Sequence, residues 1–212
     1  MINKLKTIIL VLIVTLGTFV GGCSTTKDID INNYNEYYNI ENRATDELLP
    51  EAFMYYSLIP RTPEEANEEI IEAFDKLPDS VKELYLERNC KIIIIDETLS
   101  DLDIAGSYYP FYNDIYIKKC VSNLDMTLYH EIGHFFDYKY YKYYSLSDSK
   151  EFQAIFYEER DNFETDHSEL WYFQETSREY FAQAFAEYLL NPKRLQKNCP
   201  ETYDFIDYYI NK

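Results

Sequence analysis

Two histidines four residues apart constrain this chain more than any other feature. His130 and His134 lie in a segment whose apolar residues recur every three or four positions. These residues are Leu124, Leu128, Ile132 and Phe135. The period predicts an α-helix over residues 124–141, and residues four apart on a helix share a face. Both imidazoles can therefore bind one metal ion, and neutral imidazole at this spacing suits Zn²⁺.

The residues between and after the histidines fit such a site. Glu131 is placed to hold and deprotonate an attacking water, because zinc lowers the pKa of a bound water towards about 7. Gly133 weakens an exposed helix, but it permits close approach at a site. Asp137 can orient an imidazole as a hydrogen-bond acceptor, or it can be a solvated charge. The alternative interpretation of the whole motif is an ordinary helix with two surface histidines.

A third protein ligand is needed, because a catalytic zinc has three such ligands and one open position. The chain has only three histidines, so we expect a carboxylate. Spacing alone leaves several candidates open. They are Glu158, Glu159, Glu175, Glu179 and Glu187.

The predicted helix over residues 176–190 is the stronger host for this ligand. Its small residues Ala182 and Ala186 allow close packing against the histidine helix. Glu179 has a competing role as the capping-box partner of Thr176. The residues themselves do not decide between Glu179 and the other acid on this helix.

The rest of the pattern predicts an α+β domain with a small sheet and a helical C-terminal half. Thr62 and Glu65 form a capping box around a proline and open the first helix. A β-branched run at 91–95 predicts a strand. A hairpin is expected over 106–117, with Pro110 keeping one arm at a sheet edge. The further predicted helices span residues 78–85, 124–141, 148–161, 176–190 and 200–210.

The first 22 residues predict a lipoprotein signal peptide. Two lysines precede an apolar run at residues 8–20, and two glycines then precede Cys23. A positive start, a short apolar core and small residues at its end are typical of a secretory signal, and the run is short for a membrane span. The segment resembles the bacterial lipobox, which implies a lipid on Cys23. We expect an extracytoplasmic chain, lipid-anchored to the bacterial membrane or released from it. Secretion with an unmodified cysteine is the alternative.

The mature chain divides into a polar spacer, residues 23–54, and one domain, residues 55–212. The formal net charge of −18 repels nucleic-acid phosphates, so we expect no nucleic-acid partner. Separately, we expect the chain to be a monomer.

Three cysteines lie in the domain, and none of them forms a C-x-x-C pair, which excludes a cysteine zinc cluster. They are Cys90, Cys120 and Cys199. The strand pattern allows a disulfide between Cys90 and Cys120. We expect structural roles for all three.

Three blocks of this sequence resemble the catalytic domain of anthrax lethal factor and its relatives, the small secreted Pro-Pro endopeptidases. The blocks span residues 130–134, 179–185 and 194–203. The separation of 45 residues between His134 and Glu179 also suits that family. The resemblance implies a zincin-like metallopeptidase fold, a zinc cofactor and a protein or peptide substrate.

The resemblance also implies roles for individual residues. Glu179 corresponds to the third zinc ligand. Tyr172, seven residues earlier, corresponds to an active-site tyrosine that donates a hydrogen bond to the developing oxyanion. Gln183 departs from the family pattern, which usually has an acid there. A glutamine can still hydrogen-bond a zinc-binding histidine, but it carries no charge.

Two functions follow as hypotheses. The first is a lipid-anchored zinc endopeptidase that hydrolyses peptide bonds of secreted or surface proteins. The second is a surface lipoprotein that keeps the zincin fold as a binding module with weak or no activity. Gln183 is the best argument for the second hypothesis.

Overall fold

The structure, a computed structural model, describes residues 40–43, 61–95, 105–140, 144–166 and 170–212. The predicted signal peptide, Cys23 and most of the predicted spacer lie outside these ranges. Within the described ranges, every helix is too short or too polar to cross a membrane.

In the part of the chain that the structure describes, four strands form one sheet in the order β1-β2-β4-β3. Their bounds are Ile40–Arg43 (β1), Lys91–Ile95 (β2), Gly106–Tyr109 (β3) and Asp114–Lys118 (β4). Strand β2 runs parallel to both β1 and β4, whereas β3 is antiparallel to β4. The predicted strand and hairpin are therefore confirmed, and β3, which precedes Pro110, lies at a sheet edge.

Strand β1 lies within the range predicted as an irregular spacer. Its residues pair with β2 in parallel register, Ile40 opposite Ile92. The sequence Ile-Glu-Asn-Arg contains a single apolar residue and no alternation. Because the strand is recognisable only by its pairing with β2, the local pattern did not reveal it.

Between residues 61 and 90, two helices precede β2, α1 (Pro63–Asp75) and α2 (Asp79–Glu87). The capping box of α1 is present, since Thr62 Oγ1 accepts from the Glu65 N–H and the Glu65 carboxylate accepts from the Thr62 N–H. Edge-on aromatic contacts then join the two helices to the histidine helix. They link Phe74 with Tyr85 and Tyr85 with Phe135.

The second half of the domain is helical, as expected. Its helices are α3 (Leu124–Tyr140), α4 (Lys150–Glu159), α5 (Leu170–Phe173), α6 (Ser177–Leu190), α7 (Pro192–Asn198) and α8 (Pro200–Ile210). The short helices α5 and α7 were not predicted. Helices α3 and α6 pack directly against each other. Together with the sheet, these elements confirm the predicted α+β class.

The three cysteines of the domain are free thiols, so the disulfide allowed by the strand pattern is not formed. Cys90 and Cys199 are buried. Burial raises the pKa of Cys199 to about 11, which keeps this residue protonated at neutral pH.

Candidate metal centre

The two histidines of α3 converge on one carboxylate of α6. Glu179 Oε2 lies 3.4 Å from His130 Nε2 and 3.3 Å from His134 Nε2. The two imidazole planes are nearly perpendicular, at 86°. Within the described residues this is the one group of three side chains with metal-ligand atoms gathered in this way.

The spacing of these atoms fits zinc. Zinc bound tetrahedrally through bonds of about 2.0–2.1 Å holds its ligand atoms roughly 3.3–3.4 Å apart. The two distances to Glu179, 3.4 and 3.3 Å, match that value. Two imidazoles and one carboxylate are also a known donor set of catalytic zinc sites. The residues present therefore suit the metal that the sequence predicted.

A glycine brings the two helices close enough to form this group. A Cβ atom on Gly133 would lie 2.8 Å from the Cα of Ala182 and 2.9 Å from its carbonyl oxygen. These are backbone atoms, so no side-chain rotation can relieve the contact. Ala182 and Ala186 are fully buried. The close helix packing expected from the two alanines is confirmed, and Gly133 is the residue of α3 that permits it.

Glu179 is held ionised at the start of α6. Thr176 Oγ1 accepts from the Glu179 N–H, but the carboxylate faces the histidines, so only half of the alternative capping box forms. Burial acts to raise the pKa of Glu179. The hydrogen bonds and charges of His130 and His134 outweigh burial and hold this pKa well below its usual range.

The other acidic candidates have different partners. The Glu159 carboxylate accepts from the backbone N–H and the hydroxyl of Thr202, and it thereby caps the first turn of α8. Glu187 is fully buried and pairs with Arg194 Nη2 at 2.7 Å. The remaining two candidates, Glu158 and Glu175, are exposed.

Gln183 supports the first histidine from behind. Its Oε1 atom accepts from His130 Nδ1 at 3.0 Å, which leaves His130 Nε2 free to face Glu179. Its amide nitrogen donates to Thr165 Oγ1 at 2.9 Å. The hydrogen bond expected from a glutamine at this position is therefore present, and Thr165 fixes the orientation of the amide.

Asp137 has neither of the two roles proposed from the sequence. Its side chain is 1% exposed, so it is not a solvated charge. Its carboxylate accepts from the backbone N–H and the hydroxyl of Ser147 instead of orienting an imidazole. Burial raises the pKa of Asp137 to about 6, although Ser147 and the neighbouring cationic groups oppose the shift.

Glu131 lies between α3 and the edge strand β3. The residue is 5% exposed, and burial raises the pKa of its carboxyl to about 7. The charge of His130 and the backbone of Tyr108 oppose this shift, whereas the charge of Glu179 adds to it. A carboxyl that titrates near neutrality suits proton transfer at physiological pH.

Tyr172 lies on α5 and is 39% exposed. Its ring contacts the ring of Phe173 at 5.5 Å between centroids. Phe173 is buried and contacts the His130 ring at the same distance, 5.5 Å. Tyr172 is thus two ring contacts away from a metal-ligand candidate, and its catalytic role stays a prediction.

Comparisons with known proteins agree with the geometry. A family model described as anthrax toxin lethal factor, N- and C-terminal domain, matches residues 112–209, which include both histidines and Glu179. The structure is similar to that of the Pro-Pro endopeptidase PPEP-2 from Paenibacillus alvei. The TM-score is 0.56 at 17% identity, over 81% of this chain and 96% of that chain. No curated protein matches the chain. The resemblance to anthrax lethal factor that the sequence predicted is confirmed for residues 112–209, and the fold is zincin-like.

Proposed function

We propose that this chain is a zinc endopeptidase that acts outside the cytoplasmic membrane, tethered by a lipid on Cys23, and cleaves secreted or surface proteins as a monomer. One observation carries the catalytic part of the proposal. Two imidazoles and a carboxylate from two helices stand at zinc-ligand spacing, 3.3 and 3.4 Å from nitrogen to oxygen. The location is supported by the sequence alone, through the charged start, the apolar run and the two glycines before Cys23.

In this mechanism each residue has one task. Zinc, when bound, supplies Lewis acidity towards the peptide carbonyl and makes water easier to deprotonate. Glu131 takes a proton from the attacking water and returns it to the leaving amine. Tyr172 donates a hydrogen bond to the oxygen that gains negative charge.

The edge strand offers a place for the substrate. Among the described residues, strand β3 pairs with β4 alone, so its other side can bind an extended peptide through backbone hydrogen bonds. The first residue of β3, Gly106, lies against Glu131. A peptide on this strand would therefore run past both the base and the metal ligands.

The test is hydrolysis of a peptide library by the purified chain. We expect cleavage that a chelator abolishes and added zinc restores. Glu131→Ala should lower the rate about 10²–10⁴-fold, and Tyr172→Phe about 10²–10³-fold, with zinc content unchanged in both. Glu175→Ala, which removes an exposed carboxylate on the segment after Tyr172, is the matched control and should leave the rate unaltered. A chain that cleaves no library peptide in a zinc-dependent manner would contradict the proposal.

The second candidate function is a zinc-binding module without hydrolysis. Gln183 favours it, because the relatives usually place an acid at that position. Glu131 opposes it, because a binding module has no need for a buried carboxyl beside the ligands. Metal content and the library assay together separate the two functions, since a pure binder would hold zinc and leave every peptide intact.

The tether has its own test. If Cys23 carries the lipid, the wild-type chain should partition with membranes, and Cys23→Ala should abolish lipid incorporation. Equal partitioning of the two proteins would refute the anchor without touching the catalytic proposal.

A further inference from the structure

The strand that borders the proposed base begins with a glycine whose missing side chain has a specific consequence. A Cβ atom on Gly106 would lie 3.0 Å from both Cγ and Oε1 of Glu131 and 3.0 Å from Cγ2 of Thr127. Carbon atoms in favourable contact are about 3.5–4.0 Å apart. The space that an alanine would need is therefore already filled, mainly by the side chain of Glu131.

The backbone at this position gives no other reason for glycine. No glycine in the described residues has a positive φ angle, so Gly106 has a conformation that other L-residues also adopt. Residues 106–109 are regular strand residues, and Gly106 pairs with Ile117. What distinguishes the position is the side chain that faces it.

Glu131 has little freedom to move away. It is 5% exposed, and side chains on helices are restricted to few rotamers by the preceding turn. Its carboxyl also accepts a backbone hydrogen bond from Tyr108 of the same strand β3. A Cβ at 106 would push the carboxyl out of this narrow position.

We propose that Gly106 is a positioning residue, whose missing side chain provides the space in which the Glu131 carboxyl is held between strand β3 and the metal ligands. The inference deepens the proposed function and rests on it for the catalytic consequence. The packing consequence is independent of catalysis. Residue 106 lies on β3 and not on either helix that carries a metal-ligand candidate, so its substitution should leave metal binding unchanged.

The kinetic experiment compares Gly106→Ala with Ser122→Ala, since Ser122 is an exposed residue in the loop before α3 and has no role in the proposed site. We expect Gly106→Ala to lower kcat about 10- to 100-fold, because small displacements of a catalytic group are costly. KM should stay within about threefold of the wild-type value. Zinc affinity, measured by competition with a chelating dye, should stay within the same margin. Ser122→Ala should leave kcat within the same margin. An unchanged kcat in Gly106→Ala, or a zinc affinity that falls as much as kcat, would overturn the proposal.

The second experiment is a thermal double-mutant cycle on the metal-free chain, which needs no activity. Gly106→Ala should lower Tm by about 3–10 °C through overpacking. In a Glu131→Ala background, where Cγ and Oε1 are absent, this loss should shrink by at least about half. The comparison background is Thr127→Ser, which removes Cγ2 but keeps the hydroxyl that donates to the Asn123 carbonyl oxygen. If the fall in Tm caused by Gly106→Ala became smaller with Thr127→Ser and not with Glu131→Ala, Thr127 and not Glu131 would be the side chain that needs the space. That result would overturn the proposal.

The two experiments keep the possible failures apart. If Gly106→Ala does not fold alone, the Glu131→Ala background should restore folding, and failure to restore it counts against the proposal. If the wild-type chain hydrolyses no peptide, the proposed function fails, and the thermal cycle still decides whether Gly106 makes room for Glu131.

Discussion

Helix α3 contributes to the site through two faces, and each face depends on a glycine in a different way. Towards α6, Gly133 meets backbone atoms of Ala182, and this contact sets the distance between the histidines and Glu179. Towards β3, Gly106 meets the side chain of Glu131, and this contact sets the position of the proposed base. The position of the metal-ligand candidates therefore depends on how two whole helices pack, whereas the position of the proposed base depends on the space beside one residue.

The difference predicts how the two faces respond to change. A backbone contact cannot yield unless the helices separate, which would alter every ligand distance at once. A side-chain contact can yield by moving one carboxyl, which would leave the ligands in place. Substitutions on the α6 face should therefore affect metal binding and stability together, and substitutions on the β3 face should affect catalysis first.

The largest effect is expected from Gly133→Ala. Intrinsic helix propensity favours alanine by about 1 kcal/mol, but overpacking against Ala182 costs about 1–3 kcal/mol, and the lost helix contact adds to that cost. We expect a lower free energy of unfolding in urea. Zinc affinity should fall by more than the roughly 100-fold that loss of an outer hydrogen-bond partner can cost.

A second variant tests whether the contact is with the backbone. Ala182→Gly removes a side chain but leaves the Cα and the carbonyl oxygen that a Cβ on Gly133 would meet. It should therefore fail to rescue Gly133→Ala. Wild-type zinc affinity in Gly133→Ala, or full rescue by Ala182→Gly, would break the distinction between the two faces.

The histidine pair could be predicted from sequence because its geometry is local. Residues four apart on a helix share a face whatever the rest of the chain does. The capping box at Thr62 and the strand at 91–95 are local in the same sense. Local patterns therefore sufficed for the fold class and for two of the three ligand candidates.

The remaining parts depend on contacts between distant segments. Spacing left several acids open as the third ligand, and the family resemblance, not the pattern, selected Glu179. The strand Ile40–Arg43 is recognisable only by its pairing with β2. The partner of Asp137 could not be predicted, because Ser147 is ten residues further along the chain and contacts the carboxylate only in the folded protein. The role inferred for Gly106 could not be predicted either, because it depends on contact with the Glu131 side chain.

Gln183 allows a smaller change on the α6 face without moving the helices. Gln183→Leu removes the acceptor for His130 Nδ1, which lies 3.0 Å from Oε1, and we expect zinc affinity to fall about 10- to 100-fold. Gln183→Glu keeps that acceptor and adds negative charge beside the cation, so zinc affinity should equal or exceed that of wild type. Competition with a chelating dye measures both.

The matched control is Gln153→Leu. Gln153 donates to the Ser147 carbonyl oxygen and to Ser177 Oγ on α6, so it is also a glutamine that contacts this helix, but it has no contact with a ligand candidate. Its removal should leave zinc affinity unchanged. A Gln183→Leu protein that binds zinc as tightly as the Gln153→Leu protein would show that the imidazole needs no support on this face.

The smallest effect is expected at Asp137, a buried carboxyl on the same helix that contributes to neither face. Its pKa is raised from 3.8 to about 6, so the folded protein holds the proton more tightly than the unfolded chain does. The stability that this group contributes is present below pH 3.8 and is lost as the pH rises to about 6. Asp137→Asn does not titrate, and its amide can still hydrogen-bond Ser147. Between pH 4 and 7.5, the free energy of unfolding of this variant relative to wild type should rise by an amount on the order of 1 kcal/mol.

Urea titrations of the metal-free proteins at several pH values measure this difference, and zinc affinity and kcat provide the contrast with Glu131. Burial is the main cause that raises the pKa of both carboxyls, but only Glu131 borders the metal-ligand candidates and the edge strand. Asp137→Asn should therefore change the pH dependence of stability and leave kcat intact, whereas Glu131→Ala should lower the rate about 10²–10⁴-fold. If Asp137→Asn lowered kcat as strongly as Glu131→Ala, any buried carboxyl on α3 would affect catalysis, whatever its position. The distinction between the α6 face and the β3 face of α3 would then be wrong.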